Sequence, residues 1–451
     1  MKQKIFTTLS FILITIVTFS QTRTYDEIAL LFAQENIKGT ARYTAMSGAF
    51  GALGGNLSAG NVNPAGLAFF NNSEASITLD KRNTLINSTF YNTTTGYEND
   101  KLGFSQGGGV LVFNTGSSNY WSKFALGINV TNVNDFDNSY VIKGNSQFSN
   151  EDYFHEIQQG ATLYDIVDAQ KMSNFTYGSN SNVAFTIAAK YNKYVTFGGS
   201  LISNSIDYNQ DINILEKSSD INGNTLSAKT YQNLNTYGGG IGFNFGIIAK
   251  PFKNVRVGLA YQTPIWYTLT EDFTEVLDLN LSDDANALPY ADDERTFDYK
   301  LKTPSKTTAS LAFIFGKQGL ISMDYMYKDY SKIKLGPSTD FEGANGNENE
   351  LLATNLTGAS QIRIGGEFRL NKLSLRAGYH IEDSPYKNAI DTDVTKGYSF
   401  GLGFKIFRRS KLDFSYSNDS STGKYYYINS PNTAKLNTTN DRITVTFTIK
   451  L

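Results

Sequence analysis

A serine flanked by spaced glycines is the strongest enzyme-like pattern in the chain. Residues 103–107, centred on Ser105, match the G-x-S-x-G pattern of a hydrolase nucleophile. That pattern requires a sharp turn from a strand into a helix, whereas residues 108–111 continue as a strand. The only two histidines, His155 and His380, have no catalytic motif around them. The sequence therefore predicts that the chain is not an enzyme.

The residues that bind metals and cofactors are also scarce. The chain has no Cys, which excludes disulfides, thiolate-bound zinc and iron–sulfur clusters. A cluster of acidic residues lacks the regular ligand spacing of a calcium loop and is typical of a solvated loop: Asp283, Asp284, Asp292, Asp293 and Glu294. We expect no metal and no cofactor. With 40 basic and 42 acidic side chains, the chain also lacks the charge of a nucleic-acid-binding protein.

The first 20 residues have the organisation of a secretory signal peptide. Lys2 and Lys4 precede an uncharged run over residues 5–19, and Thr18 and Ser20 occupy the positions before a cleavage site. A retained membrane anchor would need about 20 apolar residues, and this run is shorter and interrupted by Thr and Ser. We therefore predict export, with residues 1–20 removed.

The remaining sequence is dominated by alternation of apolar and polar residues. Aromatic residues make up 14% of the chain and 39 Gly stand against 8 Pro, which favours strands over helices. In 398–406, apolar residues alternate with Ser, Gly and Lys, and the last strand, 441–451, repeats the pattern. A soluble β-sandwich would place Lys, Glu and Thr on the face where these strands carry Leu, Ile, Phe and Tyr. The pattern is typical of membrane-spanning strands.

Counting such segments gives fourteen, an even number as closed bacterial barrels require. They are 74–92, 104–114, 121–132, 182–191, 193–207, 237–249, 254–262, 305–316, 319–328, 360–370, 372–381, 397–407, 410–417 and 441–451. Short turns alternate with long polar segments, six of which we predict to be extracellular loops: 133–181, 208–236, 263–304, 329–359, 382–396 and 418–440. The fold predicted for residues 74–451 is an all-β transmembrane protein, a 14-stranded antiparallel outer-membrane β-barrel.

Charged residues on the inward face of the strands predict a filled lumen. They are Arg363, Glu367, Arg369, Arg376, Lys405, Asp413 and Arg442. Fourteen strands enclose more space than strand side chains can fill, because about eight strands already give a just-filled interior. Residues 21–73 lack alternation, are rich in small residues and include a predicted short helix at 25–34. We predict that they form an N-terminal hatch that plugs the lumen from the periplasmic side.

Several motifs in order resemble one family of outer-membrane barrels. They are the run 45–50, the run 63–67 (Asn-Pro-Ala-Gly-Leu), residues 303–305, 323–325 and 328–332, and the run 375–379 ahead of 383–385. Together with the strand count they resemble the long-chain fatty acid transporter family (FadL, OmpP1 and TodX) over nearly the whole mature chain. Leu451 departs from the aromatic residue with which such barrels usually end.

The resemblance implies a passive transporter for hydrophobic small molecules in the outer membrane of a Gram-negative bacterium. The hatch motif of the family falls on Asn63, Pro64 and Ala65. Release sideways through a kinked third strand is implied, and the alternation of 121–132 breaks at Asn132, Val133, Asn134 and Asp135. The partners implied are a hydrophobic ligand, outer-membrane lipid and lipopolysaccharide, and the barrel-assembly machinery during insertion. A monomer is expected, because hatch and barrel complete each other within one chain.

The loop 133–181 offers a candidate site of ligand capture. Apolar residues lie among acidic ones in 153–172, a composition that predicts one or two short amphipathic helices with an apolar groove: Tyr153, Ile157, Leu163, Ile166 and Val167. These residues could equally pack the loop onto the barrel rim. Haem uptake, which is attributed to related sequences, and a non-transporting role as a docking component in protein secretion remain as alternatives.

Overall fold

The computed structural model describes residues 25–115, 120–145, 147, 164–282, 290–342, 347–390, 393–426 and 433–451. The predicted signal peptide lies outside these residues. In the described part of the chain, no helix is long and apolar enough to cross a membrane.

Within the described ranges, eighteen β-strands form one antiparallel sheet that closes when the first strand pairs with the last, Glu74 opposite Lys450. Their bounds are β1 Glu74–Phe90, β2 Thr93–Asn114, β3 Trp121–Asp135, β4 Tyr140–Gly144, β5 Ile166–Tyr191, β6 Val195–Ser219, β7 Thr225–Phe252, β8 Val255–Gln262, β9 Trp266–Leu281, β10 Tyr290–Lys302, β11 Lys306–Phe315, β12 Gly319–Asp329, β13 Lys334–Gly336, β14 Gly358–Leu370, β15 Leu373–Glu382, β16 Thr395–Lys405, β17 Ser410–Tyr426 and β18 Thr433–Lys450.

These elements build a barrel wall of fourteen strands. β7 pairs along its length with both β8 and β9, so β8 and β9 are two parts of one interrupted strand. β10 and β11 are likewise two parts of the neighbouring strand. The two interruptions, at Pro264 and Pro304, lie side by side in the wall. β4 and β13 are short additions beside longer strands. The predicted closed 14-stranded barrel is confirmed.

The outer face of the barrel carries the apolar residues that the alternation predicted. On β16, for example, Tyr398, Phe400, Leu402 and Phe404 are all more than 40% exposed. Inward-facing residues on the same wall are buried and mostly polar, such as Ser399. A continuous apolar outer belt with a polar interior is stable only where lipid surrounds it.

Six connections of two to six residues lie at one end of the barrel, together with the start of β1 and the end of β18. We call this the turn end and the opposite one the loop end. The strands extend much further toward the loop end than predicted: β5, β6 and β7 have 26, 25 and 28 residues. Much of the sequence predicted as long loops, including most of 208–236 and 263–304, is therefore paired strand. Beyond the membrane an outer face no longer needs apolar residues, so the alternation ends while the backbone pairing continues.

The hatch runs inside the barrel ahead of β1. Its helices are α1 Tyr25–Ala33, α2 Ala41–Thr44, α3 Ala59–Val62 and the 3-10 helix Pro64–Phe69. Outside the lumen, α4 Ser338–Phe341, α5 Glu348–Asn355 and the 3-10 helix Tyr330–Lys332 fold over the loop end. The short helix predicted from residue 25 is confirmed. α1 lies toward the loop end, where it packs against the region of α4 and α5, and Phe70 lies near the turn end.

Candidate functional site

Asn63 hydrogen-bonds the turn-end part of the hatch to the barrel wall. Its side-chain oxygen accepts a hydrogen bond from the backbone N–H of Ala65 at 3.1 Å and so caps the 3-10 helix. Its amide nitrogen donates to the carbonyl oxygens of Gly51 at 2.8 Å and of Ile247, on β7, at 3.2 Å. Pro64 begins the helix, a position that needs no N–H donor. One side chain thus joins two parts of the hatch and the wall.

The wall approaches the Asn63–Ala65 segment closely because two of its residues are glycines. A Cβ atom on Gly246 would lie 2.0 Å from the side-chain oxygen of Asn63. A Cβ atom on Gly198 would lie 2.4 Å from the backbone nitrogen of Ala65. Only a residue without a side chain allows this approach. The structure therefore places Asn63, Pro64 and Ala65 together at a fitted contact with β6 and β7.

Buried ion pairs hold the middle of the hatch. Arg42, in α2, binds Glu367 of β14 at 2.7 Å. Glu367 also contacts Arg376 at 2.8 Å, and Arg376 contacts Asp413 at 2.6 Å. Of the inward charges predicted from the strand pattern, Glu367, Arg376 and Asp413 therefore pair with one another and with the hatch, whereas Lys405 is exposed. Such charges are stable in a low-dielectric interior only when each has its partners.

The loop-end half of the lumen is an apolar chamber filled by helix α1. Ile28, Leu30 and Phe32 are buried there against residues from several strands and from α4 and α5. The ring of Phe32 packs 5.5 Å from the rings of Phe136 and Tyr208. Tyr25 and its aromatic neighbours line the far side of the chamber: Phe297, Tyr299 and Phe341. An enclosed, mostly aromatic and aliphatic surface is typical of a site for hydrophobic ligands.

A carboxylate bound by two lysines lies at the base of this chamber. Glu35, just after α1, accepts hydrogen bonds from Lys306 at 2.6 Å and Lys328 at 3.1 Å. Burial alone would raise the pKa of the Glu35 carboxyl, but the two ammonium groups hold it well below its ordinary value. All three residues, with Arg363, line a cavity of about 60 Å³. The Glu35 carboxylate therefore lies at the base of the chamber that the apolar helix α1 fills.

Glu35, Lys306 and Lys328 were not predicted as site residues. Lys306 directly follows the run 303–305, and Lys328 begins the run 328–332, two of the motifs that carried the family resemblance. The signal was therefore present in the sequence, but it gave no indication that the two lysines meet Glu35. Their meeting depends on strand register and on the path of the hatch.

The third strand is irregular where its alternation breaks. The register between β3 and β5 shifts between Asn132 and Asn134, and Asp135 is the last residue of β3. Among the described residues, β2 pairs with β3 only from residue 106 to residue 114, so residues 93–104 pair with β1 alone. The hatch contacts this region directly: the N–H of Asn36 donates to the carbonyl of Val133 at 3.0 Å.

The predicted capture loop must be corrected in part. Tyr153, Ile157 and Leu163 lie outside the described residues. Ile166 and Val167 do not belong to an amphipathic helix: they begin β5 and pair with Ser219 and Ser218 of β6. Val167 is buried and Ile166 is 45% exposed. The apolar and acidic residues here alternate with a strand period, which was mistaken for helical spacing.

The enzyme-like residues are structural. Ser105 lies in the middle of β2, is fully buried and donates to the carbonyl of Gly39 in the hatch at 3.3 Å. His380 lies 3.3 Å from Asp419 inside the wall. No group of metal-ligating side chains suited to an ion occurs among the residues that the structure describes.

A closed barrel with an apolar outer belt and an internal hatch defines an outer-membrane channel protein. Residues 27–450 match the family described as "Outer membrane protein transport protein (OMPP1/FadL/TodX)". The chain belongs to this family, whose members are channel transporters for hydrophobic compounds in the outer membrane, and not enzymes. The family resemblance and the non-enzymatic function predicted from the sequence are confirmed.

Solved structures show the same fold. A Pseudomonas aeruginosa FadL homologue is 13% identical, with a TM-score of 0.60, covering 92% of this chain and 99% of its own. The P. putida toluene transporter TodX is 14% identical, with a TM-score of 0.57 and the same coverage. The Ralstonia pickettii toluene transporter TbuX is 17% identical, with a TM-score of 0.55, again covering 92% and 99%. No curated protein matches the chain significantly.

Proposed function

We propose that this protein takes up hydrophobic monocarboxylates such as long-chain fatty acids across the outer membrane, and that the hatch occupies the ligand's place in the closed state. The observation that carries the proposal is the pairing of Glu35 with Lys306 and Lys328 beneath an apolar chamber. Helix α1 with Glu35 has the chemistry of a fatty acid: an apolar body that ends in a carboxylate.

The chamber is closed in this state, which gives the hatch a gating role. The cavity of about 60 Å³ beside Glu35 is far smaller than the roughly 300 Å³ or more of a site for a drug-sized ligand. An alkyl chain enters only when α1 leaves. Its carboxylate then takes the two lysines from Glu35, so binding of the ligand and displacement of the hatch compete for the same charges.

Release follows sideways through the third strand. Asn36, the residue after Glu35, holds Asn134 at 2.7 Å and the carbonyl of Val133. Lys38 lies 3.5 Å from Asp135. Displacing Glu35 therefore pulls on three contacts with the end of β3, at the point where β3 has no backbone pairing to β2. A ligand with an alkyl chain leaves through this gap into lipid.

A neutral aromatic hydrocarbon is the second candidate ligand. The rings of Tyr25, Phe297, Tyr299 and Phe341 lie within 6.5 Å of one another in pairs at the chamber's loop end. Aromatic rings prefer such edge and stacked contacts. The similar TodX and TbuX structures are of toluene transporters. Haem uptake and secretion docking, the alternatives from the sequence, have no comparable group of described residues in their favour.

The test compares oleate with toluene. In the triple variant Glu35→Gln/Lys306→Gln/Lys328→Gln, the three charges are removed together, so none of the three is left buried without its partner. Oleate binding to the purified protein, measured by isothermal titration calorimetry in detergent, should weaken about tenfold or more, because a hydrogen bond to a charged group contributes about 1.5–3 kcal/mol. Toluene binding should be unchanged.

The matched control removes an exposed ion pair at the loop end. Lys229 and Asp278 lie 3.8 Å apart and both are more than half exposed, so Lys229→Gln/Asp278→Asn should bind oleate like the wild type. Equal oleate affinity in the triple variant and the control would show that the lysines do not bind the ligand. Toluene binding with no oleate binding to the wild type would favour the hydrocarbon.

A further inference from the structure

A strongly basic pocket lies at the turn end of the barrel, beneath the last turn of the hatch. Its volume is about 190 Å³. The hatch contributes Ala68, Phe69 and Asn71, and five cationic side chains come from the surrounding wall: Lys123, Lys190, Lys193, Lys250 and Arg256. The pocket is separate from the Glu35 site, which lies deeper in the lumen and is lined by other residues.

No carboxylate neutralises this group of cations among the described residues. The pocket lining contains no Asp or Glu. The ion pairs found in the described part of the chain include none of the five.

Two of the five cations, Lys123 and Arg256, are held in place by the hatch. Lys123 donates to the carbonyl of Phe70 at 2.6 Å. Arg256 donates to the carbonyl of Leu53, and its guanidinium lies 4.0 Å above the ring centre of Phe69. The Nε atom of Arg256 is buried and has no hydrogen-bond partner in the described part of the chain. Neutral carbonyls and a ring orient these groups without cancelling their charge.

Five like charges around a space of about 190 Å³ repel one another. A single carboxylate would offset one charge and offers two oxygens, whereas a phosphate group carries up to two charges and three or more acceptor oxygens. Lysine and arginine side chains are the usual partners of phosphate in proteins. The pocket therefore matches a phosphate group better than it matches the carboxylate of a transported ligand.

We propose that this pocket binds a phosphate group, supplied by free phosphate or by a phospholipid headgroup, and that the bound anion fixes the base of the hatch to the wall. The anion bridges β3, β5, β7 and β8 directly below Phe69 and Phe70. Each of these strands contributes at least one of the cations. The turn-end part of the hatch then stays attached to the wall while the loop-end part, with α1, moves.

The test measures phosphate binding to the detergent-solubilised full-length protein by isothermal titration calorimetry. In Lys190→Gln/Lys250→Gln, affinity for inorganic phosphate should fall at least tenfold. The control, Lys317→Gln/Lys372→Gln, removes two exposed lysines from other turns at the same end and should stay within twofold of the wild type. Lys193→Gln, on an exposed turn, gives a milder second variant with an expected loss of about threefold.

A second arm identifies the source of the phosphate. Nanodiscs of phosphatidylglycerol and of a neutral-headgroup glycolipid are compared by native mass spectrometry after mild release. Retained phosphatidylglycerol that is lost in Lys190→Gln/Lys250→Gln assigns the site to a lipid headgroup, and binding of inorganic phosphate alone assigns it to the free anion. Binding of neither, equal binding by the variant and the control, or tighter binding of acetate than of phosphate would overturn the proposal.

Discussion

The carboxylate of Glu35 lies 2.6 Å from the ammonium nitrogen of Lys306, although 271 residues separate them in the chain. Glu35 belongs to the hatch and Lys306 to β11, directly after the interruption at Pro304. The contact therefore joins the hatch to the wall at the base of the apolar chamber. In the proposed function, a ligand carboxylate that reaches Lys306 replaces that of Glu35.

The first prediction follows from this competition. In Glu35→Gln, the hatch loses the carboxylate that binds Lys306 and Lys328, so the two lysines are available to a ligand carboxylate without a competitor. We expect tighter oleate binding, by about tenfold, and faster hydrogen exchange in residues 25–35, because removing one member of a buried ion pair is destabilising by about 3–5 kcal/mol. Calorimetry and hydrogen-exchange mass spectrometry measure the two effects.

Asp278→Asn provides the control for this variant. It removes an exposed carboxylate that lies 3.8 Å from Lys229, and exposed pairs contribute about 0–1 kcal/mol. Asp278→Asn should change neither the oleate affinity nor the hydrogen exchange of residues 25–35. If Glu35→Gln binds oleate more weakly than the wild type, Glu35 is not the ligand's competitor.

The barrel could be predicted from the sequence because lipid imposes a strict pattern. Each spanning strand must present apolar residues at every second position, as Tyr398, Phe400 and Leu402 do on β16, and the fourteen predicted segments all correspond to wall strands. The extension of β5, β6 and β7 was missed. There, buried polar residues such as Gln170 and Asn174 interrupt the apolar alternation, so the pattern of a lipid-facing strand is absent.

The Glu35 site could not be predicted in the same way. Lys306 and Lys328 lie in neighbouring strands whose register places them opposite each other, and alternation shows that both face inward. The path of the hatch has no comparable period. Small residues such as Ala45 and Gly51 indicate close packing but not which wall strand they contact, and only the folded hatch brings Glu35 to the lysines.

The second prediction concerns the base of the hatch. Gly246→Ala adds a Cβ atom that would lie 2.0 Å from the side-chain oxygen of Asn63, so the Asn63–Ala65 segment must move away from the wall. Asn63→Ala instead removes the hydrogen bonds to Gly51 and Ile247. We expect exchange in residues 59–70 to accelerate at least tenfold in both variants, which corresponds to about 1.4 kcal/mol or more.

Two controls separate this contact from general effects of substitution. Gly239→Ala changes a glycine of the same strand whose added Cβ would lie 3.5 Å from the nearest atom, an ordinary contact. Asn72→Ala changes an exposed asparagine just after the hatch motif. Acceleration of the same size in the controls would mean that the Asn63 contact does not anchor the hatch.

The third prediction is a pH dependence caused by Lys38. Burial in the hatch, with a further contribution from the nearby Arg442 guanidinium, lowers the pKa of Lys38 from 10.5 to about 8. When the hatch opens, water restores the ordinary value. Between about pH 8 and pH 10.5, the open state therefore binds more protons than the closed state, and the closed state becomes more stable as the pH rises.

Hydrogen exchange of residues 27–45, corrected for its intrinsic pH dependence, measures the opening free energy between pH 7 and pH 10. Lys38→Met removes one titrating group. The slope of this free energy against pH should therefore be smaller in this variant, by up to about 1.4 kcal/mol per pH unit. Lys81→Met, at an exposed lysine of β1, should keep the slope of the wild type. An identical slope in all three proteins would show that Lys38 does not titrate in this range.

The fourth prediction tests the exit at the third strand. Lys101 of β2 lies 3.2 Å from Asp135 and also contacts Asp137, across the part of the wall where β2 and β3 have no backbone pairing. These ion pairs close the gap in place of a hydrogen-bond ladder. Lys101→Met removes them and should speed transfer of oleate from the protein into surrounding lipid several-fold, as measured by fluorescence in vesicles.

Lys81→Met is the matched control, because Lys81 of β1 lies on the side of β2 where the backbone pairing is complete. Lys81 pairs with Asp100 at 3.2 Å, but there the backbones of β1 and β2 are fully paired, so loss of the ion pair opens nothing. Because ion pairs are screened by salt, high ionic strength should accelerate release by the wild type and by Lys81→Met but have little effect on Lys101→Met. Release that is equally fast in all three proteins at low salt would place the exit elsewhere in the wall.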